Sequence, residues 1–356
     1  MVPLSAARPE RLEAWADGLP GRLLAPLGLL YAGAARLRVQ LYRRGLLRSH
    51  RPPRPVLSIG NLAAGGTGKT PLLLDTVARL RRRGVLPGVL SRGHGGDENR
   101  LLEERHPEVP LAEGADRVRG MERLLAGARP PEILLLDDGF QHLRLQRDLD
   151  VVLLDALRPF GRCLPAGLFR EPSSALRRAD LVLLSRADLV DAERRAALRR
   201  RVEQLRGRGP WIEGGIRLRE FRNLATGEVL EPAALHGREA FAAAGIGRPQ
   251  SFTALLEGAG LHLTGTDFVA DHGGWKDDAL RAWERHERVV VTEKDAVKLR
   301  GRVGPNVWVA RVDWVFLEGE ETWEEALDRI CLPVRAARIE PLWAAADPEA
   351  RTLGEP

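Results

Sequence analysis

The stretch Val56-Leu57-Ser58-Ile59-Gly60-Asn61-Leu62-Ala63-Ala64-Gly65-Gly66-Thr67-Gly68-Lys69-Thr70 decides how the rest of the chain is read. Val56 to Ile59, following Pro52, Pro53 and Pro55, read as a short buried strand, and Leu72 to Arg83, closed by Gly84, carries a helical pattern. Strand, glycine-rich loop and helix in that order are the setting of a phosphate-binding loop. The backbone N–H groups of Ala64, Gly65, Gly66, Thr67, Gly68, Lys69 and Thr70 would cradle phosphates at a helix N-terminus. Lys69 would reach the outer phosphates and Thr70 would hold Mg²⁺. The strict pattern has Gly where this chain has Ala63, and Gly65, Gly66 and Gly68 supply the backbone freedom instead.

Downstream, the apolar run Ile133 to Leu136 ends in Asp137-Asp138-Gly139. A strand that delivers a carboxylate to the C-terminal edge of a parallel sheet can meet the Mg²⁺ held by the loop Thr. Two more apolar runs, Val151 to Leu154 and Leu181 to Leu184, alternate with helical or loop stretches. The fold class expected is therefore α/β, a doubly wound and mostly parallel sheet of the P-loop type. Residues 211–232 read as two short strands around Thr226-Gly227, a hinge hairpin. Beyond it, Ala240 to Ala244, Val289 to Val291 and Val307 to Val312 alternate with helical patterns and predict a second, smaller α/β unit. The expected organisation is an N-terminal arm over 1–50, a kinase-like core over 51–210, the hairpin over 211–232, the smaller unit over 233–335 and a weakly patterned tail over 336–356.

A content of 44% hydrophobic and 29% charged residues over 356 residues excludes disorder as the main state. Cys163 and Cys331 match neither a zinc spacing nor a disulfide framework, which favours a reducing compartment. Basicity is concentrated at one end: the net charge is +6, and residues 1–55 hold ten Arg against three acids. The arm predicts an amphipathic helix in which Leu27, Leu30, Ala34, Leu37 and Leu41 share one face and Arg36 and Arg43 lie opposite. Its apolar stretch, Leu23 to Ala35, is too short to span a bilayer, and its flanks do not read as a signal peptide. Such a helix suits an anionic membrane surface, whereas a nucleic-acid partner would not require the apolar face, so none is expected. Only four residues are Lys: Lys69, Lys276, Lys294 and Lys298.

Six motifs in order resemble the tetraacyldisaccharide 4'-kinases of lipid A synthesis. They are the loop from Gly60 to Pro71, Ser91-Arg92-Gly93-His94-Gly95-Gly96, Asp137-Asp138-Gly139-Phe140-Gln141-His142, Leu164-Pro165-Ala166-Gly167 with Arg170-Glu171, Gly245-Ile246-Gly247 with Pro249-Gln250-Ser251-Phe252, and Thr292-Glu293-Lys294-Asp295-Ala296-Val297-Lys298. The resemblance implies transfer of the γ-phosphate of ATP, with Mg²⁺, to the 4'-hydroxyl of an acylated glucosamine disaccharide 1-phosphate. It also implies a peripheral position at the cytoplasmic face of the bacterial inner membrane. It further implies Asp97 as the base, assisted by His272, with Glu98 and one or both of Asp137 and Asp138 near the metal. Arg170, in a Gly/Pro-rich loop, is expected to face the transferring phosphate, while Lys294 and Lys298, four apart on one helix face, either meet nucleotide or the substrate's 1-phosphate or belong with Glu293 to a solvated surface helix.

The chain departs from the family pattern at Gly96-Asp97-Glu98, which follows the glycine motif directly where the family has an intervening segment; His94 and Asn99 stand where the family has Tyr and Pro. Another class of function, a membrane-associated GTPase or ATPase switch, would use Ser185-Arg186-Ala187-Asp188 to read a base. That motif lacks the Asn and Lys such switches use.

Overall fold

The computed structural model describes residues 18–93, 96–270 and 273–346. Near the N-terminus lie α1 (Leu19–Leu23) and α2 (Ala25–Arg43). The first half of the sheet and its helices then alternate: β1 (Val56–Asn61), α3 (Lys69–Arg82), β2 (Pro87–Ser91), α4 (Asp97–Arg105), β3 (Leu111–Glu113), α5 (Arg117–Leu125), β4 (Ile133–Asp137), β5 (Leu149–Asp155), β6 (Leu181–Ser185) and α6 (Ala192–Arg206). The second half comprises β7 (Trp211–Asn223), β8 (Val229–Leu230), β9 (Glu239–Ala244), α7 (Pro249–Gly258), β10 (His262–Phe268), α8 (Asp277–Trp283), β11 (Val289–Thr292), α9 (Glu293–Leu299), β12 (Val307–Glu318) and α10 (Glu320–Ala346).

All of these strands belong to one sheet, ordered β10-β9-β11-β12-β7-β6-β5-β1-β4-β2-β3, with β8 at the side of β7. Every pairing from β3 to β7 is parallel, as is every pairing from β12 to β10. The two parallel blocks are joined by an antiparallel pair, β7 with β12, whose register runs from Asn223 opposite Trp308 to Glu213 opposite Glu318. The turn at Thr226-Gly227 leads only into the two-residue β8, so the main partner of β7 is not its neighbour in sequence. Residues 211–232, expected as a hinge, therefore do not interrupt the sheet, which runs through them.

The strands of the first block are buried on both faces, as the helical crossovers of a parallel sheet require. Side chains alternate with the pleat. Leu57 and Ile59 face α3, α4 and α10, while Val56, Leu134 and Leu136 face α5. In the second block Val290 points to α7, and Val289 and Val291 point to α8 and α9. The sequence pattern placed residues up to 335 in the smaller unit. Instead Trp323, Leu327 and Ile330 of α10 pack on Val77 and Leu80 of α3, in the core of the first block. Arg79 and Arg83 of α3 reinforce that contact by pairing with Glu320, Glu324 and Asp328. The helix also continues past residue 336 to Ala346.

The arm docks through its smallest side chains. Gly28 and Ala32 are buried, and a Cβ on Gly28 would stand 2.8 Å from the Cβ of Ala166. The leucine face points the other way, with Leu27, Leu30 and Leu37 exposed by 50%, 70% and 59%. Among the described residues no helix is long and apolar enough to cross a membrane.

Gly60, at the end of β1, has no space for a side chain: a Cβ would lie 2.6 Å from the Cβ and 2.7 Å from the backbone nitrogen of Phe140. Gly60→Ala is expected to destabilise the protein by about 1–3 kcal/mol, read as a lower urea midpoint at unchanged m value.

Candidate active site

The chain reverses its direction of strand addition at β1, which lies between β4 and β5, so a crevice opens beyond the C-terminal ends of β1 and β4. The loop from Leu62 to Gly68 fills one side of it. Its rim is fixed by the Ala64 N–H donating to the Leu168 carbonyl (2.7 Å), and by Asn61 Nδ2 donating to Thr67 Oγ1 (2.8 Å). Nothing lies within 4 Å of a Cβ built on Gly65 or Gly66, so the middle of the loop is open. Gly68 is left-handed (φ +81°), and α3 begins with no side-chain cap, leaving its first N–H groups for an anion.

Opposite the loop, β4 delivers two carboxylates into different surroundings. Asp138 is left-handed at φ +52°, an uncommon conformation for a residue with a side chain. That backbone aims its carboxylate at two cations: Oδ1 is 3.3 Å from Lys69 Nζ, and Oδ2 accepts from Arg170 Nη1 at 2.5 Å. Burial works against its charge, but Lys69 and Arg170 outweigh that and hold its pKa far below the usual carboxylate range. Asp137 is buried without such compensation. Burial, with the nearby Glu98 carboxylate and Asp138 adding to it, pushes its pKa up to about 7 against the pull of Lys69 and Arg117.

One cavity joins these groups: Lys69, Thr70, Glu98, Asp137, Asp138 and Arg170 all line it together with the loop glycines. The structure thus brings together the predicted loop residues Gly65 to Thr70, the predicted acids Glu98, Asp137 and Asp138, and Arg170. Ala64 sits at the loop's anchored rim rather than in the cavity. Asp97 is beside the cavity and not in its lining. It is buried at the start of α4, with Oδ2 2.7 Å from Lys298 Nζ. His272 lies outside the described residues. Lys294 stands 3.8 Å from Glu98, so both lysines of α9 face the acids of α4.

Two neighbouring hollows extend the crevice. One runs from the loop between the two blocks and is walled by apolar side chains, among them Leu74, Ile246, Phe252 and Trp314. The other lies under α2 and is lined by Arg38, Arg92, Asp138, Gln141, His142 and Arg170. Burial, aided by surrounding arginines, lowers the His142 pKa to about 4, so the imidazole is neutral near pH 7.

Arg186 was singled out in the sequence only as a mismatch to a base-reading motif. Its guanidinium is committed to Asp155 (2.5 Å) and to the Gly66 carbonyl (2.9 Å), so it braces the phosphate loop. A second set missed from sequence is Arg105 with Glu293, which ties α4 to α9 at 2.5 Å. In a chain this rich in arginine only the partner across space sets Arg105 apart.

Fold and site together define a P-loop phosphotransferase. A family model described as tetraacyldisaccharide-1-P 4'-kinase matches residues 21–100 and 94–332, two stretches that overlap at Gly96-Asp97-Glu98. The chain belongs to the tetraacyldisaccharide-1-phosphate 4'-kinase family. It is 41% identical to the tetraacyldisaccharide 4'-kinase of Anaeromyxobacter sp. (strain K) over 89% of this chain and 94% of that protein. With the enzyme of the same name from Pseudomonas entomophila (strain L48) it shares 38% identity over 91% and 97%. Its fold is similar to LpxK from Aquifex aeolicus, solved in complex with ATP, at a TM-score of 0.70 and 28% identity, covering 88% of this chain and 99% of that one.

The buried Asp137 yields a prediction for the protein without nucleotide or metal. A carboxyl whose folded pKa is raised contributes stability at low pH that is lost as pH rises from the unfolded value, about 3.9, toward 7. Asp137→Asn removes this liability. Its melting temperature relative to the parent is expected to be higher at pH 8 than at pH 4.5, measured by differential scanning calorimetry.

Proposed function

We infer that the cavity at Lys69, Asp138 and Arg170 receives the γ-phosphate of ATP, which this kinase transfers to the 4'-hydroxyl of tetraacyldisaccharide 1-phosphate in lipid A biosynthesis. The observation that carries the site reading is the pairing of both cations with Asp138. Phosphoryl transfer needs positioned positive charge more than covalent chemistry, and here a lysine and an arginine are held on one carboxylate beside an open phosphate loop. The N–H groups of Gly65 to Thr70 hold the phosphate chain, and the apolar hollow between the blocks accepts the nucleoside. Among the described residues no group of three or more His, Cys, Asp or Glu could hold a metal ion. That fits Mg²⁺, which takes one or two carboxylates and completes its shell with phosphate oxygens and water. The burial of Asp137 beside Glu98, only partly offset by Lys69 and Arg117, supports a cation site there. Asp137, Glu98 and Thr70 would hold it, and when bound it neutralises charge on the phosphates.

On the acceptor side, the hollow under α2 offers Arg38, Arg92 and Arg170 to anionic groups and neutral His142 to sugar hydroxyls. Asp97 is assigned as the base that takes the 4'-hydroxyl proton, with His272 as its assistant. The leucine face of α1 and α2 rests in an anionic membrane surface, the cytoplasmic face of the inner membrane, and the acyl chains enter the hollow from that side. No nucleic acid takes part.

The test is thin-layer separation of labelled phosphate moved from ATP onto the disaccharide lipid; no transfer overturns the reading. Lys69→Ala is expected to lower kcat by at least about 10²–10³-fold while the protein remains folded by circular dichroism. For the surface contact, Leu27→Glu with Leu30→Glu should weaken sedimentation with anionic vesicles by about 10²-fold or more, since each leucine contributes roughly 1.5–3 kcal/mol on burial. High salt should release the parent only in part, because apolar burial is not screened. Unchanged sedimentation of the double variant would place the membrane contact elsewhere.

A further inference from the structure

The motif Thr292 to Lys298 is spent almost entirely on contacts between elements. Thr292 caps α9, with its hydroxyl accepting from the Asp295 N–H (3.2 Å) and donating to the Asp295 carboxylate (2.6 Å). Asp295, fully buried, accepts the Gly245 N–H at 2.9 Å, and a Cβ on Gly245 would stand 2.9 Å from that carboxylate. Glu293 accepts from Arg105 at the last residue of α4, from Arg311, and from the Val312 N–H of β12. Lys298 spans the remaining gap. Its Nζ is 2.7 Å from Asp97 Oδ2 at the first residue of α4 and donates to the Gly273 carbonyl at 3.0 Å.

Three charge contacts from α9 therefore grip α4 at its opposite ends: Lys298 with Asp97 and Lys294 with Glu98 at its start, and Glu293 with Arg105 at its end. Contacts at one end alone would let the helix turn about its axis; contacts at both ends fix the rotation. Rotation matters because consecutive residues project about 100° apart, so the angle that puts Glu98 in the phosphate cavity also sets where Asp97 lies. The left-handed Gly96 just before the helix supplies no side-chain cap, so the first turn is held by side chains: Asn99 donates to Glu113 of β3, and Asp97 and Glu98 meet the two lysines of α9.

We propose that Lys298 is a positioning residue for Asp97: its ammonium, carried on the second block of the sheet, fixes the carboxylate carried on the first. It is neither a phosphate ligand nor a contact for the substrate's 1-phosphate. The inference rests on the reading of Asp97 as the base. Lys298 acts through orientation: its loss removes the ammonium that fixes the direction of a buried carboxylate, while the first turn of α4 keeps its other contacts.

The experiment is steady-state kinetics of the full chain with labelled ATP and tetraacyldisaccharide 1-phosphate in mixed micelles, for Lys298→Met, Asp97→Asn and their combination. Displacing a reacting group by an ångström costs about 10²-fold, so kcat of Lys298→Met is expected to fall by about that factor while KM for ATP and for lipid stays within about two-fold. The combined variant should be no slower than Asp97→Asn, since the lysine reaches the reaction only through Asp97. Lys298→Gln, neutral but still able to donate to Gly273, is the second variant should the Met form not fold. A raised KM for lipid at full kcat, or losses that multiply, would overturn the proposal. Full activity of Lys298→Met beside an inactive Asp97→Asn overturns it and leaves the base assignment standing. Full activity of Asp97→Asn overturns both.

Discussion

The antiparallel pairing of β7 with β12 is the constraint on which the rest of the molecule depends. The phosphate loop belongs to one parallel block and α9 to the other, and only this ribbon makes the two blocks one sheet. Parallel strands need long crossovers to meet, whereas an antiparallel pair can join two separately wound units along their full length. With the ribbon in place, the distance between α3 and α9 is set by backbone hydrogen bonds. Weak side-chain contacts can then be specific: Lys294 with Glu98 and Lys298 with Asp97 meet because the sheet has already placed their helices.

The cavity gives adjacent carboxylates different surroundings. Asp138 has two cations within reach and stays charged, while Asp137, one residue earlier in the same cavity, is more deeply buried and only partly offset by Lys69 and Arg117. The difference follows from the left-handed turn at Asp138, which Gly139 makes room for: a Cβ at 139 would collide with Leu136 and Ser58. Local backbone shape, and not the identity of the acids, divides their roles.

The phosphate loop and the strands flanking it were legible in the sequence because they are local. Glycine spacing, an apolar run and a helical period fall within about thirty residues, and each is imposed by short-range sterics. Whatever is decided by distant partners was not. A strand before Thr226-Gly227 could be read, but its long pairing with β12 could not: Gly214 and Gly215 leave room for Trp314 and Asp188, which occupy the space their side chains would need. The arm's leucine face could be read from period alone, yet its docking face is written in Gly28 and Ala32, residues whose significance is the space they leave. Arg105, Arg186 and Lys298 needed the fold before their partners could be seen.

The separation of β7 from β12 in the chain has a consequence for synthesis on the ribosome. Eighty-odd residues lie between Asn223 and Val307, and at roughly 5–20 residues per second β7 emerges several seconds before its partner strand. Through that interval the first block lacks α10 and ends in an unpaired edge whose residues Trp211 to Gly215 are buried in the finished protein. An edge of that kind is a template for pairing with other chains. The nascent enzyme thus passes through a window in which protection of one strand, by a chaperone or by slow growth of the neighbouring chains, decides between folding and association.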